Sequence, residues 1–179
     1  MLVYSSITSL DGYINDAEGH FDWGEPSAEL HQFVNDLQRD IGIHLYGRKL
    51  YEVMVWWETI DLDDQPEVFR DFARGWRAAE KVVYSTTLTE AASARTRICP
   101  VFDADEIRRM PGDQLIGGAV LAGEAFTHGL VDEIHQFVMP VVIGGGTRAL
   151  PDDVTLDLEL LDQRGFDGGA VYLRYRVLR

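Results

Sequence analysis

Three short stretches put small or polar residues where an apolar run ends: Tyr46-Gly47-Arg48-Lys49, Tyr84-Ser85-Thr86-Thr87 and Ile116-Gly117-Gly118-Ala119. Two of them also open a helical pattern. A helix start leaves backbone N–H groups unpaired and carries a positive partial charge, so it suits an anion. Gly117 and Gly118 carry no side chain to keep a pyrophosphate from that backbone, and Arg48 and Lys49 add full charges. Taken singly, Gly-Gly before a helix also reads as a tight turn, and Gly-Arg-Lys as a solvated helix start.

Two acids could handle protons. Glu29 opens a helical pattern and Asp11 precedes Gly12. Each has a structural alternative, since a first-turn glutamate complements the helix dipole and Asp-Gly is a turn signal. Trp23 either floors a substrate pocket or packs in the core, and Trp56 and Trp57 either meet a partner subunit or pack internally. His20, His31, His44, His128 and His135 have no metal-ligand spacing, so no metal is expected.

The elements that must position these residues alternate along the chain. Val3, Ser5 and Ile7 begin a strand that reaches Asp11-Gly12, and Tyr13-Ile14 resumes it. Leu30, Phe33, Val34, Leu37 and Ile41 recur at helical spacing between Pro26 and Gly42. Ile43 to Tyr46 reads as a strand running into a helix, Val68 to Trp76 as a helix, and Lys81 to Tyr84 as a strand. A helix around Asp103 to Arg109, a strand at Gln114 to Ile116 and a helix Ala119 to Phe126 stopped by Gly129 follow. Glu133 to Met139, Val154 to Leu161 and Ala170 to Leu178 then read as strands, the last two alternating as antiparallel strands do. The expectation is one α/β domain over 1–179, with a mixed, mostly parallel sheet and an antiparallel C-terminal edge. In such sheets ligands bind beyond the carboxyl ends of the strands, where the three junctions would line one crevice.

Composition narrows the partners. A net charge of −14 over 179 residues, with no basic run, disfavours nucleic acid and anionic membranes. The single cysteine, Cys99, fits a reducing compartment, and no apolar run approaches the ~20 residues of a membrane helix. These features predict a soluble, cytoplasmic protein.

The landmarks Ser9-Leu10-Asp11-Gly12-Tyr13-Ile14, Tyr46-Gly47-Arg48-Lys49-Leu50-Tyr51-Glu52, Val83-Tyr84-Ser85, Ile116-Gly117-Gly118-Ala119-Val120-Leu121 and Gly129-Leu130-Val131-Asp132-Glu133-Ile134, then Pro140 and Gly144-Gly145-Gly146, occur in order over nearly the whole chain. This arrangement resembles the dihydrofolate reductase superfamily, and within it the C-terminal reductase domain of the bifunctional riboflavin-biosynthesis deaminase-reductase. The resemblance implies a three-layer fold with helices on both sheet faces. It also implies NADP(H) as cofactor, with Gly47, Arg48 and Lys49 on its phosphates, and Arg48, Ser85 and Thr86 around the 2′-phosphate. Gly117, Gly118, Ala119, Val120 and Leu121 would cradle the pyrophosphate, with a cis peptide at Gly117-Gly118, and Ser6, Ile7 and Ile14 would border the nicotinamide.

By the same resemblance Glu29 stands where dihydrofolate reductases carry their active-site acid, and burial there would raise its pKa. Asp11, Glu29 and Trp23 become substrate contacts, and a homodimer is expected. The implied reaction is hydride transfer to a heterocyclic or carbonyl metabolite, like that of 5-amino-6-(5-phosphoribosylamino)uracil reductase. A pterin reductase and a non-catalytic NADPH-binding sensor are the alternatives. Leu50 replaces the usual phosphate-touching threonine, and the Pro-Trp segment of true dihydrofolate reductases is missing. One cysteine cannot build the zinc site of the deaminase half.

Overall fold

The computed structural model describes residues 1–179. Its strands are β1 (Leu2–Ser9), β2 (Tyr13–Asn15), β3 (Ile43–Gly47), β4 (Glu80–Tyr84), β5 (Thr96–Cys99), β6 (Gln114–Gly117), β7 (Glu133–Met139), β8 (Thr147–Arg148), β9 (Leu158–Gly165) and β10 (Val171–Val177). Between them lie helices α1 (Ala28–Gln38), α2 (Arg48–Met54), α3 (Trp56–Thr59), α4 (Glu67–Ala78), α5 (Ala104–Arg109) and α6 (Ala119–Thr127). A 3-10 turn covers Asp22–Gly24.

Eight strands form one sheet in the order β5-β4-β3-β6-β1-β7-β10-β9, with β2 and β8 paired separately. Neighbours from β5 to β7 are parallel, and only β10 runs against the rest. The predicted mixed, mostly parallel sheet with an antiparallel C-terminal edge is therefore what the chain builds.

Side-chain alternation feeds two helical layers. Leu2, Tyr4, Leu45, Val82, Ile116 and Ile134 meet Ile107 of α5 and Leu121, Ala122, Ala125 and Phe126 of α6 on one face. On the other, Phe137, Met139 and Tyr172 meet Leu30 of α1, while Tyr46 and Val83 meet Tyr51 of α2 and Trp76 of α4. Local signals set the helix ends. Ser27 Oγ accepts the Leu30 N–H at 3.2 Å, and Asp103 caps α5 through Asp105 and Glu106. Behind α6, Gly129 (φ 60°) lets Leu130 N–H reach the Ala125 carbonyl at 2.9 Å, a Schellman closure.

Three expectations shift. α1 stops at Gln38, and Ile41 sits in the turn beyond it. β5 was not expected, because four residues with one strongly apolar side chain give no readable period. The strand placed at Val154–Leu161 forms as Leu158–Gly165, and its leucines are not covered, with Leu158 39% and Leu160 48% exposed. As the last strand of the sheet, β9 leaves these leucines uncovered and meets α1 near its end, through Arg164.

A polar seam runs beneath α4. Trp76 Nε1 donates to Tyr46 Oη at 3.2 Å, which leaves the tyrosine hydrogen for His44 Nδ1 at 2.9 Å. Burial, helped by the nearby Lys81 charge, pushes the His44 pKa down to about 4. Between that value and the ordinary 6.5 the unfolded chain binds a proton that the folded chain refuses. Acidification through this window should therefore remove about 3 kcal/mol of stability. Urea midpoints at pH 7.5 and 5 test this, with the slope reduced in His44→Gln; a midpoint that holds or rises toward pH 5 refutes it.

Candidate functional site

Strand register brings the three junctions together. Tyr46 of β3 lies opposite Gly117 of β6, and Gly47 lies opposite Tyr84 of β4, so Gly47-Arg48, Gly117-Gly118 and Ser85 end side by side. On the other flank of β6, Tyr4 of β1 lies opposite Ile116, but β1 continues to Ser9 beside Met139. Ser5, Ser6 and Ile7 thus border the opening where β6 turns into α6. The Ser6 hydroxyl there is buried beside the Tyr4 hydroxyl, whose own hydrogen goes to the Ala149 carbonyl at 2.6 Å.

The first intrahelical bond of α6 runs from Ala122 N–H to the Gly118 carbonyl at 3.0 Å, so the N–H groups of Ala119, Val120 and Leu121 are left without a backbone acceptor. Gly118 turns the chain with φ 86° and ψ 122°, a conformation costly for any residue with a Cβ. No peptide bond in the chain is cis, so the expected Gly117-Gly118 cis bond is replaced by this left-handed glycine. Gly117 also differs from expectation. A Cβ on it would lie 2.6 Å from Leu50 Cδ2, so its bare backbone admits the α2 leucine rather than a phosphate.

The charged residues are partly engaged. Arg48 Nη1 donates to both carboxylate oxygens of Glu52, at 2.8 and 3.1 Å, across one exposed turn of α2. Lys49 and Thr86 are exposed. Ser85 Oγ accepts from Thr87 N–H and Leu88 N–H, so it shapes its own turn. Ile14 is half-buried in β2.

The expectation of a buried Glu29 is overturned. Glu29 is exposed and its Oε1 accepts from Arg164 Nη2 of β9 at 2.7 Å. The helical period explains this: α1 turns Leu30 to the sheet and presents His31, about 200° round the axis from Glu29, to α3 and α4. His31 is 7% exposed, lies 5.1 to 5.8 Å from the rings of Trp57, Phe69 and Phe72, and is held below its ordinary pKa by burial. Sequence reasoning gave this histidine no special place. Its position off the Leu30-Phe33-Val34-Leu37 stripe was the available signal.

Asp11 accepts Gly144 N–H at 2.8 Å and Ile143 N–H at 3.2 Å, tying the β1–β2 loop to the loop before β8. The nearby Ser9 hydroxyl and these amides hold its carboxyl below the usual range. Trp23 packs with Ile7 against the Leu30 cluster and also lines a recess of about 440 Å³ with Asp16, Glu18, Ile143 and Gly144. Its indole N–H is buried with no acceptor, on the sheet face opposite that of Tyr4 and Ser6. No three His, Cys, Asp or Glu side chains are grouped to hold a metal ion, and no helix is long and apolar enough to cross a membrane.

The carboxyl ends of β1, β3, β4 and β6 thus bring the helix start at Gly118 beside Gly47-Arg48, Ser85 and the Ser5-Ser6 stretch of β1. Comparison with known families decides the lineage: the RibD C-terminal domain profile matches residues 1–111 and 107–172. The chain belongs to the RibD C-terminal domain family. Among its relatives is the uncharacterised Bacillus subtilis (strain 168) protein YyaP, 27% identical over 181 residues, 97% of this chain and 93% of that protein. A putative riboflavin biosynthesis protein from Shewanella sp. PV-4 has the same fold, with TM-score 0.76, 20% identity and 99% of both chains covered. A deaminase/5-amino-6-(5-phosphoribosylamino)uracil reductase from Thermotoga maritima aligns with TM-score 0.68 at 16% identity. There 99% of this chain covers 56% of the longer one. Enterococcus faecalis dihydrofolate reductase, in complex with NADP(H), aligns with TM-score 0.64 at 17% identity over 99% of this chain and 96% of that one. The fold is dihydrofolate reductase-like, and membership of this family supports a reductase-like function.

Proposed function

We propose that this RibD-like chain is an NADPH-dependent reductase of a small heterocyclic or carbonyl-bearing metabolite. The observation that carries the reading is the meeting of the Gly118–Leu121 helix start with Gly47-Arg48 and the Ser5-Ser6 stretch at adjacent strand ends. In this reading the N–H groups of Ala119, Val120 and Leu121, reached past Gly118, hold the pyrophosphate. Gly47, Arg48, Lys49, Ser85 and Thr86 surround the 2′-phosphate, with Arg48 leaving Glu52 to do so. Ser6, Ile7 and Ile14 border the nicotinamide, and Trp23 with Asp11 and Glu29 forms the substrate side. Bound dihydronicotinamide supplies the hydride, and the chain's task is to align donor and acceptor. Glu29 and Asp11 are both engaged elsewhere, so solvent entering the cleft delivers the proton.

A fluorescence titration tests the cofactor assignment. NADPH should bind at least tenfold tighter than NADH, and Arg48→Ala should erase the difference by weakening NADPH alone. Equal affinities untouched by the substitution would remove the phosphate site. The engagement of Glu29 by Arg164 and of Asp11 by two amides favours one second reading, a sensor that binds NADPH without turnover. Tight binding with no NADPH oxidation against pterins, pyrimidines and quinones would select it.

The proposed assembly is a homodimer formed along β9, whose open edge carries the exposed Leu158 and Leu160. Light scattering should return about twice the 20.2 kDa chain mass, and Leu160→Lys should return one chain. A native protein that scatters as a single chain would dismiss the assembly.

A further inference from the structure

α1 has two flanks, and they look to opposite ends of the strand order. Phe33 lies on the β9–β10 flank, 5.2 Å from Phe166 and 4.9 Å from Tyr172. His31 is turned about 200° from Phe33, so it lies on the flank of β6 and β3, where its ring meets Trp57 of α3 and Phe69 and Phe72 of α4.

Its height on the helix matters as much. His31 N–H makes the first intrahelical bond of α1, to the Ser27 carbonyl at 2.8 Å, at the end of the helix that the chain enters from β1 and β2. Leu30, about 100° away, packs with Ile7 on the sheet, and Asn35, a turn further and about 40° round, bonds the Val68 carbonyl of α4 at 2.9 Å. His31 therefore points inward between sheet and α4, not toward the outer surface where Gln32 meets Asp36.

The ring is 7% exposed, and neither of its nitrogens bonds to the protein. Neither is sealed from solvent, unlike the Trp23 N–H. With the sheet, α3 and α4 closing the other sides, the way in is from the crevice end. Charged groups on α3 and α4 are engaged elsewhere. Glu58 accepts the Ala94 N–H at 3.1 Å, and Asp71 pairs with Arg39 at 3.2 Å. Glu67 holds Arg70 and Arg74 at 2.8 and 3.0 Å, and Arg77 donates to the Trp57 and Ile60 carbonyls. Burial alone therefore lowers the His31 pKa.

We propose that His31 is the proton donor of the reductase, handing its ring proton to the carbonyl oxygen or imine nitrogen of the substrate as the adjoining carbon receives the hydride. This role rests on the reductase reading and names the group through which the solvent proton passes. The hydride's electron pair forms the new C–H bond and leaves NADP+ behind. The C=O or C=N π pair moves to the heteroatom, which takes the His31 proton, and solvent recharges the neutral ring through the same opening. A ring that burial makes reluctant to hold its proton gives it up readily. The substrate class is thus a heterocycle reduced at a C=O or C=N bond.

NMR titration of the His31 ring, assigned by the signal that His31→Gln removes, tests its position without turnover. NADP+ and NADPH differ by one positive charge on the nicotinamide, and their phosphates cancel in the comparison. The His31 pKa should be lower by at least about half a unit with NADP+ than with NADPH. His128, past the far end of α6, should titrate alike in both. Equal His31 values in the two complexes overturn the proposal and leave the cofactor reading standing, whereas failure of both nucleotides to bind removes that reading itself. In turnover of a pterin or pyrimidine, NADPH oxidation should rise as pH falls toward the His31 pKa. His31→Gln should flatten that rise and lower kcat at least tenfold, with NADPH affinity kept. A rise that survives the substitution assigns the proton to another donor, and no oxidation of NADPH by any such substrate removes the role together with the reductase.

Discussion

Gly118→Asp should weaken NADPH binding by at least a hundredfold, about 2.8 kcal/mol, in a fluorescence titration. Two effects combine. The residue sits at φ 86°, so any Cβ strains the turn and re-aims the three free N–H groups behind it. The carboxylate would also stand where the proposed site holds a pyrophosphate, replacing the attraction of the α6 start with like-charge repulsion. Gly123→Asp, within α6 and away from its start, is the matched control for added charge. Its first Cβ neighbour is Pro151 at 4.0 Å, so it should bind NADPH within a few-fold of native. A Gly118→Asp protein that folds and binds NADPH normally would end the pyrophosphate assignment.

Gly146→Ala should cost at least about 3 kcal/mol, the upper range for overpacking and backbone strain acting together. At φ 133° its Cβ would fall 1.9 Å from the Asn15 carbonyl oxygen and within 3 Å of two more backbone atoms, none of which can rotate away. The damage would spread through the β2–β8 pair, where Thr147 N–H donates to Asn15 Oδ1 and the Ala149 carbonyl accepts from the buried Tyr4 hydroxyl. For a chain of this length the melting temperature should fall by about 10 °C. Gly145→Ala, with open space at its Cβ and no positive φ, should leave the transition where it was. Equal melting of the two variants would show that the Asn15 approach is not rigid.

The Asn15–Gly146 contact shows why part of the molecule was legible from sequence and part was not. Periodicity located α1, α4 and α6, because a helix over a sheet must repeat its apolar side chains every three or four residues. Pro26 and Gly129 marked ends because a helix start tolerates a missing N–H and a helix stop needs a residue that can turn left-handed. The three strand-end junctions were readable for the same reason, as each is a local change from apolar run to small residue. β5 and β8 were not, since two to four residues carry no period, and β9 slid by four residues because an edge strand lacks a second layer to enforce its alternation.

Residue roles followed the same division. Glu29 was given an active-site role by its place in order along the chain, yet its orientation depends on which face of α1 meets the sheet and on Arg164, 135 residues away. Leu50 filling the space beside Gly117, Asp11 bound to Gly144, and the orphaned Trp23 N–H arise from contacts between distant segments. The amino-acid order by itself determined which segments are helices and strands, how they alternate, and that strand ends next to glycines face one crevice. Only the tertiary structure decided which side chains in that crevice are free, because a polar group's availability depends on every neighbour brought to it through space, and burial removes the water that would otherwise satisfy it.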